Sequence, residues 1–198
     1  MATNLSKIFE DELKLITDKS MIEMLRYILD NRVPEYFLTN HSSSSGQYHP
    51  LNKNGEQENL IEHTKSVFRI VFEILEHPDL KGRIEEKNRN CGLAASLLHD
   101  SVKYGFGDEV YDHTIHEHPV YVKLLIDDKI LANPQWVIDF NEICRLISTH
   151  HGPWRASIYS TLVLPQVSDE MQWYLHLADY LASREYIRVD YDYIPQAR

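Results

Sequence analysis

Apolar residues recur along this chain every three or four positions, so the sequence reads as a succession of helices separated by polar stretches. Leu5, Ile8, Phe9, Leu13 and Ile16 predict a first helix. Ser20 and Glu23 have the spacing of a capping box ahead of Met21, Met24, Leu25, Ile28 and Leu29, and Pro34 closes that second helix. A third is expected over about 56–76, where His63 shares a stripe with Val67, Ile70 and Ile74 and must point where they point. A fourth, from about residue 89, carries Cys91, Gly92, Ala94, Ala95 and Ser96, small enough for close helix approach. It runs into Leu97-Leu98-His99-Asp100, with Gly105 and Gly107 as its terminators. His118-Pro119 opens the apolar run Val120 to Ile126, since proline suits a first helical position. Asn133-Pro134 opens the next helix, where Ile143, Leu146, Ile147 and His150 share one face and His151 lies on the adjoining one. Ser168-Asp169-Glu170 starts the last, with Asp179 on the stripe Leu175-Asp179-Ala182.

The stretch 39–55 breaks this pattern with four serines, glycines and the pair Tyr48-His49. Too little chain precedes it for a separate domain, so it reads as a long loop, either facing a substrate or disordered at the surface. The expected organisation is therefore N-terminal helices over 1–38 packed on a main unit over 39–198.

Composition narrows the function classes. With 198 residues and 43% hydrophobic content the chain can bury a real core. A net charge of -10 disfavours an extended nucleic-acid surface, which needs clustered Lys and Arg. Cys91 and Cys144 fall in apolar helical patterns and read as reduced core thiols. No run approaches the roughly 20 apolar residues of a membrane span, and Met1-Ala2-Thr3-Asn4 lacks signal-peptide character. These features predict a cytoplasmic protein with no membrane partner.

The chemistry lies in residues that core packing explains poorly. His63, His99, Asp100, His118, His150, His151 and Asp179 each occupy an inward stripe or a helix end. Singly, each has a bland reading: a hydrogen-bonded core histidine, or Asp179 paired with Arg184 or Arg188. Together, imidazole and carboxylate donors suit Zn, Mn, Fe, Co or Ni, and an aspartate can bridge two ions. The set is expected to converge on one metal site, with two divalent ions, built for phosphoester hydrolysis. His113 and His116 read as solvated loop residues. Tyr48, His49, Trp154 and Arg155 are the expected substrate contacts: Trp154 by stacking on a base or, alternatively, ordinary packing, and Arg155 by taking a phosphate.

The run Leu-Leu-His-Asp-Ser-Val-Lys-Tyr-Gly, with His63, His118-Pro119, His150-His151-Gly152 and Asp179, resembles the HD superfamily of metal-dependent phosphohydrolases over about 48–188. The resemblance implies an all-α HD-domain bundle. It implies that His63, His99, Asp100 and Asp179 hold one ion, and that Asp100 bridges to a second held by His118 with His150, His151 or both. Lys103 matches the lysine that often follows the His-Asp pair and would bind phosphate or stabilise developing charge. Two subfamilies are most similar: YhaM-type HD exoribonucleases, through Tyr48-His49, Glu62-His63-Thr64 and Thr149-His150-His151-Gly152, and the HD nuclease module of CRISPR-associated helicases. Glu58-Asn59-Leu60 stands where the first has Gly-Gly-Leu, and no separate oligonucleotide-binding domain is read here. The expected partner is therefore a small nucleotide, a cyclic or linear dinucleotide, or a very short oligonucleotide. A non-catalytic metal-containing nucleotide sensor, an HD-type single-strand exonuclease and a purely structural helical module are the alternatives.

Overall fold

A computed structural model describes residues 4–43, 49–52 and 54–191, and these are almost wholly helical. The helices are α1 (Leu5–Ile8), α2 (Glu10–Leu13), α3 (Lys19–Asn31), α4 (Leu60–Leu75), α5 (Glu86–Leu98), α6 (His118–Tyr121), α7 (Asp128–Leu131), α8 (Pro134–Ile147) and α9 (Glu170–Ala182). The strands among the described residues are a two-residue hairpin, β1 (Gly105–Phe106) against β2 (Glu109–Val110). The architecture is an all-α bundle.

Helix α5 is the hub. Residues 90–98 are all buried, so it shows little amphipathic contrast and packs against α4, α8 and α9 at once. Gly92 permits this: a Cβ there would stand 2.5 Å from the Met171 side chain of α9. Helix α4 lies between α5 and α9, while α3 packs on α1, α5 and α8. Leu5, Phe9, Leu13, Met24 and Leu25 share one buried cluster with Phe68, Leu97 and Phe140. Glu12, fully buried, also fastens the N-terminal segment by ion pairs to Arg69 at 3.2 Å and Lys65 at 3.5 Å on α4.

Several expected boundaries move, each for a local reason. The first predicted helix is two single turns meeting at Phe9. Asp18, not Ser20, caps α3 by accepting from the Met21 N–H. The third helix begins at Leu60 rather than 56, because Asn59 and Glu62 form a reciprocal capping box there. Helix α5 starts at Glu86 and ends at Leu98; Gly105 and Gly107, with φ of 105° and 66°, shape the hairpin instead of terminating the helix. Cys91 and Cys144 are free, and burial pushes both thiols up to about 12. No described helix is long and apolar enough to cross a membrane.

Candidate metal centre

Helix ends supply most of the site. His99 and Asp100 directly follow α5, His150 and His151 follow α8 by three and four residues, and His118 is the first residue of α6. His63 sits in the first turn of α4, placed there by the Asn59–Glu62 box, and Asp179 projects from within α9. His63, His99, Asp100, His118 and His150 are all at most 1% exposed.

A common local device orients three of the rings. The last carbonyls of a helix have no intrahelical partner, and a histidine three residues on can donate to one. His99 Nδ1 donates to the Ser96 carbonyl at 2.8 Å and His150 Nδ1 to the Ile147 carbonyl at 2.9 Å. His118 Nδ1 donates to the Ile115 carbonyl at 2.7 Å, also three residues back but in the loop before α6. Ser101 and Thr149 hydroxyls take further helix-end carbonyls, from Leu98 and Leu146. With the proton fixed on Nδ1, each ring turns a bare Nε2 lone pair inward, the arrangement of a metal-ligating histidine.

His63 lies where helical carbonyls are already engaged, and a carboxylate does this work instead. Its Nδ1 faces Glu58 Oε2 at 3.5 Å and has no other partner among the described residues, while Glu58 also accepts from His49 Nδ1 at 3.1 Å. Burial opposes charge on Glu58, but the two imidazoles outweigh it and hold the carboxyl down at about 2. Burial holds His49 at about 4 despite Glu58.

The inward atoms form two groups joined by Asp100. On one side His63 Nε2, His99 Nε2 and Asp179 Oδ1 gather, with His63 3.0 Å from Asp179 and 3.3 Å from His99. Asp100 Oδ2 approaches this group at 3.5 Å from His99 and 3.7 Å from His63. On the other side stand His118, His150 and His151, and Asp100 turns Oδ1 to them, 3.0 Å from His118 Nε2 and 3.8 Å from His150 Nε2. Lys103 Nζ lies 2.5 Å from Asp100 Oδ2, buried.

The electrostatics fit cations. Burial, reinforced by His118, drives His150 down to about 3, and burial also lowers His99 and His151. His118 and His150 present Nε2 atoms 3.2 Å apart. Each ring gives its Nδ1 proton to a carbonyl, and a metal ion would satisfy both facing Nε2 atoms. Asp100 and Asp179 resist burial yet stay ionised, held well below the usual carboxylate range by Lys103 and the surrounding imidazoles. His63 behaves differently: burial disfavours its charge, but Asp179 and Glu58 prevail and raise it to about 9. A proton on its Nε2 competes directly with a metal. Asp179 thus pairs with His63 and not with an arginine.

A cavity of about 490 Å³ opens on these groups, lined by His49, His150, His151, Trp154, Asp179 and Arg184 among others. Trp154, 57% exposed, stacks on Tyr180 at 5.8 Å and 10°, and the Arg184 guanidinium lies 4.4 Å from the Tyr180 ring. Both arginines give Nε to a backbone carbonyl, Arg155 to Leu164 and Arg184 to Tyr180, but among the described residues it is Arg184 that lines the cavity. Tyr48 lies outside the described residues. His113 is exposed beside Asp112, as a solvated residue should be, whereas His116 is partly buried against the Arg155 carbonyl at 3.1 Å.

Two residues escaped the sequence reading. In the sequence Glu58 stands out only as part of the departure from Gly-Gly-Leu, with no role attached to it. His176 donates Nδ1 to the His150 carbonyl at 2.8 Å and fills the space above Gly152, where a Cβ would come within 2.2 Å of its ring. Gly152, at φ of 57°, was the visible signal of that contact.

Comparison with known proteins gives one positive result. A family model described as HD domain matches residues 60–184, from the first residue of α4 to just beyond α9. No curated protein and no solved structure matches the chain.

Proposed function

The chain belongs to the HD domain family, whose members are metal-dependent phosphohydrolases, and from that premise we propose that it hydrolyses a nucleotide-type phosphoester at a dinuclear centre. The observation that carries the reading is Asp100, whose two oxygens face two separate ligand groups. His63, His99, Asp100 and Asp179 would hold one ion, and Asp100, His118, His150 and His151 the other. Divalent ions bound there supply a water of lowered pKa and positive charge for the phosphate. Mn, Fe, Co, Ni and Zn all accept this nitrogen and oxygen donor set.

The chain's own residues supply the rest. Lys103 neutralises Asp100 and holds its carboxylate still, so that both oxygens remain aimed at their groups. Its buried charge also favours negative charge developing on a phosphate nearby. Trp154 and Tyr180 offer a stacked aromatic wall, and Arg184 a cation, to the base and phosphate of a nucleotide. His49 stands at the inner edge of the same cavity, tied to Glu58. The paired histidines of Thr149-His150-His151-Gly152 support the nuclease-like branch of the family, and the net charge of -10 supports a small substrate over a long polymer.

The test is a screen of metal-depleted protein, resupplied with each of the five metals. Nitrophenyl phosphate mono- and diesters, mononucleotides, dinucleotides and short RNA would be the substrates. Turnover that requires metal, saturating at two ions per chain, is the expected result. Tight nucleotide binding without turnover under every metal would instead identify a sensor and overturn the hydrolase.

A further inference from the structure

A second cavity, of about 570 Å³, lies beside the metal centre, and His151 is the single lining residue it shares with the first. Its walls come from different parts of the chain, the 109–121 segment and the loop after Gly152. Each volume falls within the roughly 300–1,000 Å³ of small-ligand sites. A phosphate at the His118, His150 and His151 group therefore has room for a substituent on either hand.

The two cavities differ in chemistry. The first carries Arg184 and the Trp154–Tyr180 stack. The second is lined by Tyr111, Tyr121 and Tyr159, by His113 and His116 beside the shared His151, and by Glu109 and Glu117, and its described lining includes no Lys or Arg. Its carboxylates and its lack of a Lys or Arg partner disfavour a phosphate. It suits a flat, uncharged ring, stacked on tyrosine, whose N–H groups face the carboxylates.

We propose that the substrate is a phosphodiester with a nucleoside-like group on each side of the scissile phosphate. One nucleoside occupies the tyrosine cavity as a terminal group without further phosphate, and the other lies against Trp154 and Arg184. This rests on the phosphoester-hydrolase reading and narrows it from phosphoesters in general to diesters. In the reaction, water adds across one P–O bond: its hydroxyl goes to phosphorus and its second hydrogen to the departing oxygen. The products are a nucleoside and a nucleoside monophosphate.

The test compares binding of a dinucleoside phosphorothioate, two adenosines joined by a slowly cleaved diester, with binding of adenosine monophosphate. Metal-loaded wild-type protein, Ser157→Trp and Tyr111→Ala would be measured by calorimetry. Ser157→Trp fills the second cavity; Tyr111 is 45% exposed, so its truncation removes a wall without disturbing the core. Each variant should reduce the ratio of dinucleoside to monophosphate affinity about tenfold, in keeping with the loss of one base–aromatic stack. An unchanged ratio in both variants, or a wild-type protein that binds the dinucleoside no tighter than the monophosphate, overturns the proposal. The parent reading fails separately, on absence of turnover: turnover with an unchanged ratio sinks only the two-cavity substrate, whereas a changed ratio without turnover sinks the hydrolase, and with it the diester as substrate, and leaves a two-cavity binding site.

Discussion

The two halves of the metal centre are built by different means, and the difference predicts how each handles an ion. The half on Asp100 Oδ2 draws His63 and Asp179 from within helices, and a buried carboxylate, Glu58, stands behind His63. The half on Asp100 Oδ1 is all histidine apart from the bridge, taken from helix ends, with His118 and His150 oriented by backbone carbonyls. Carboxylate charge attracts a cation but also a proton, as at His63, whereas burial lowers His150 and His151 and leaves their lone pairs free of that competition. An ion entering the first half would therefore displace a proton from His63, whereas one entering the second would meet His150 and His151 already held low by burial.

The largest effect should come from the residue common to both. Asp100→Ala removes the bridge, so metal analysis should find both ions lost and kcat should fall by about three orders of magnitude, several kcal/mol of charge stabilisation. Retention of either ion at wild-type affinity would show the halves to be independent. Glu58→Ala separates them: it frees His63 to turn, and affinity for one ion of the two should fall about 10- to 100-fold, the usual cost of losing such an orienting partner. A Co(II) titration reads this directly, since one set of bands should weaken while the other persists. Equal loss at both would mean that Glu58 supports the fold generally.

The smallest effect, and the sharpest for the comparison, is a proton count. With its value raised from 6.5 to about 9, His63 is protonated in metal-free protein at pH 7.5, and His150, at about 3, is not. The sign follows from linkage: protonated His63 stabilises the metal-free fold below about pH 6.5, and that contribution disappears as pH rises through about 9. Filling the first half at pH 7.5 should release about one proton from His63, and His150 in the second should contribute none. Calorimetry in two buffers of different ionisation enthalpy measures both steps; release on the second alone would invert the assignment.

Much of this centre was legible in the chain because helical periodicity says which way a side chain points. His63 beside Val67, and His150 beside Ile143 and Ile147, could only face inward, and both are buried. The resemblance around His99-Asp100 then supplied the grouping. Less visible were residues whose role depends on a neighbour far along the chain. Arg155 and Arg184 are indistinguishable by type, and each gives Nε to a backbone carbonyl, yet it is Arg184 that lines the cavity. The same holds for His176 beneath Gly152, and for His116 against the Arg155 carbonyl.

By itself, then, the sequence determined an all-α chain with an inward-facing set of imidazoles and carboxylates, since burial follows from local spacing of apolar residues. Tertiary structure alone decided which oxygen of Asp100 serves which trio, that Glu58 stands behind His63, and that two unlike cavities meet at His151. Those relations are distances between segments dozens of residues apart, fixed by how the helices pack around α5, and local periodicity carries no information about them.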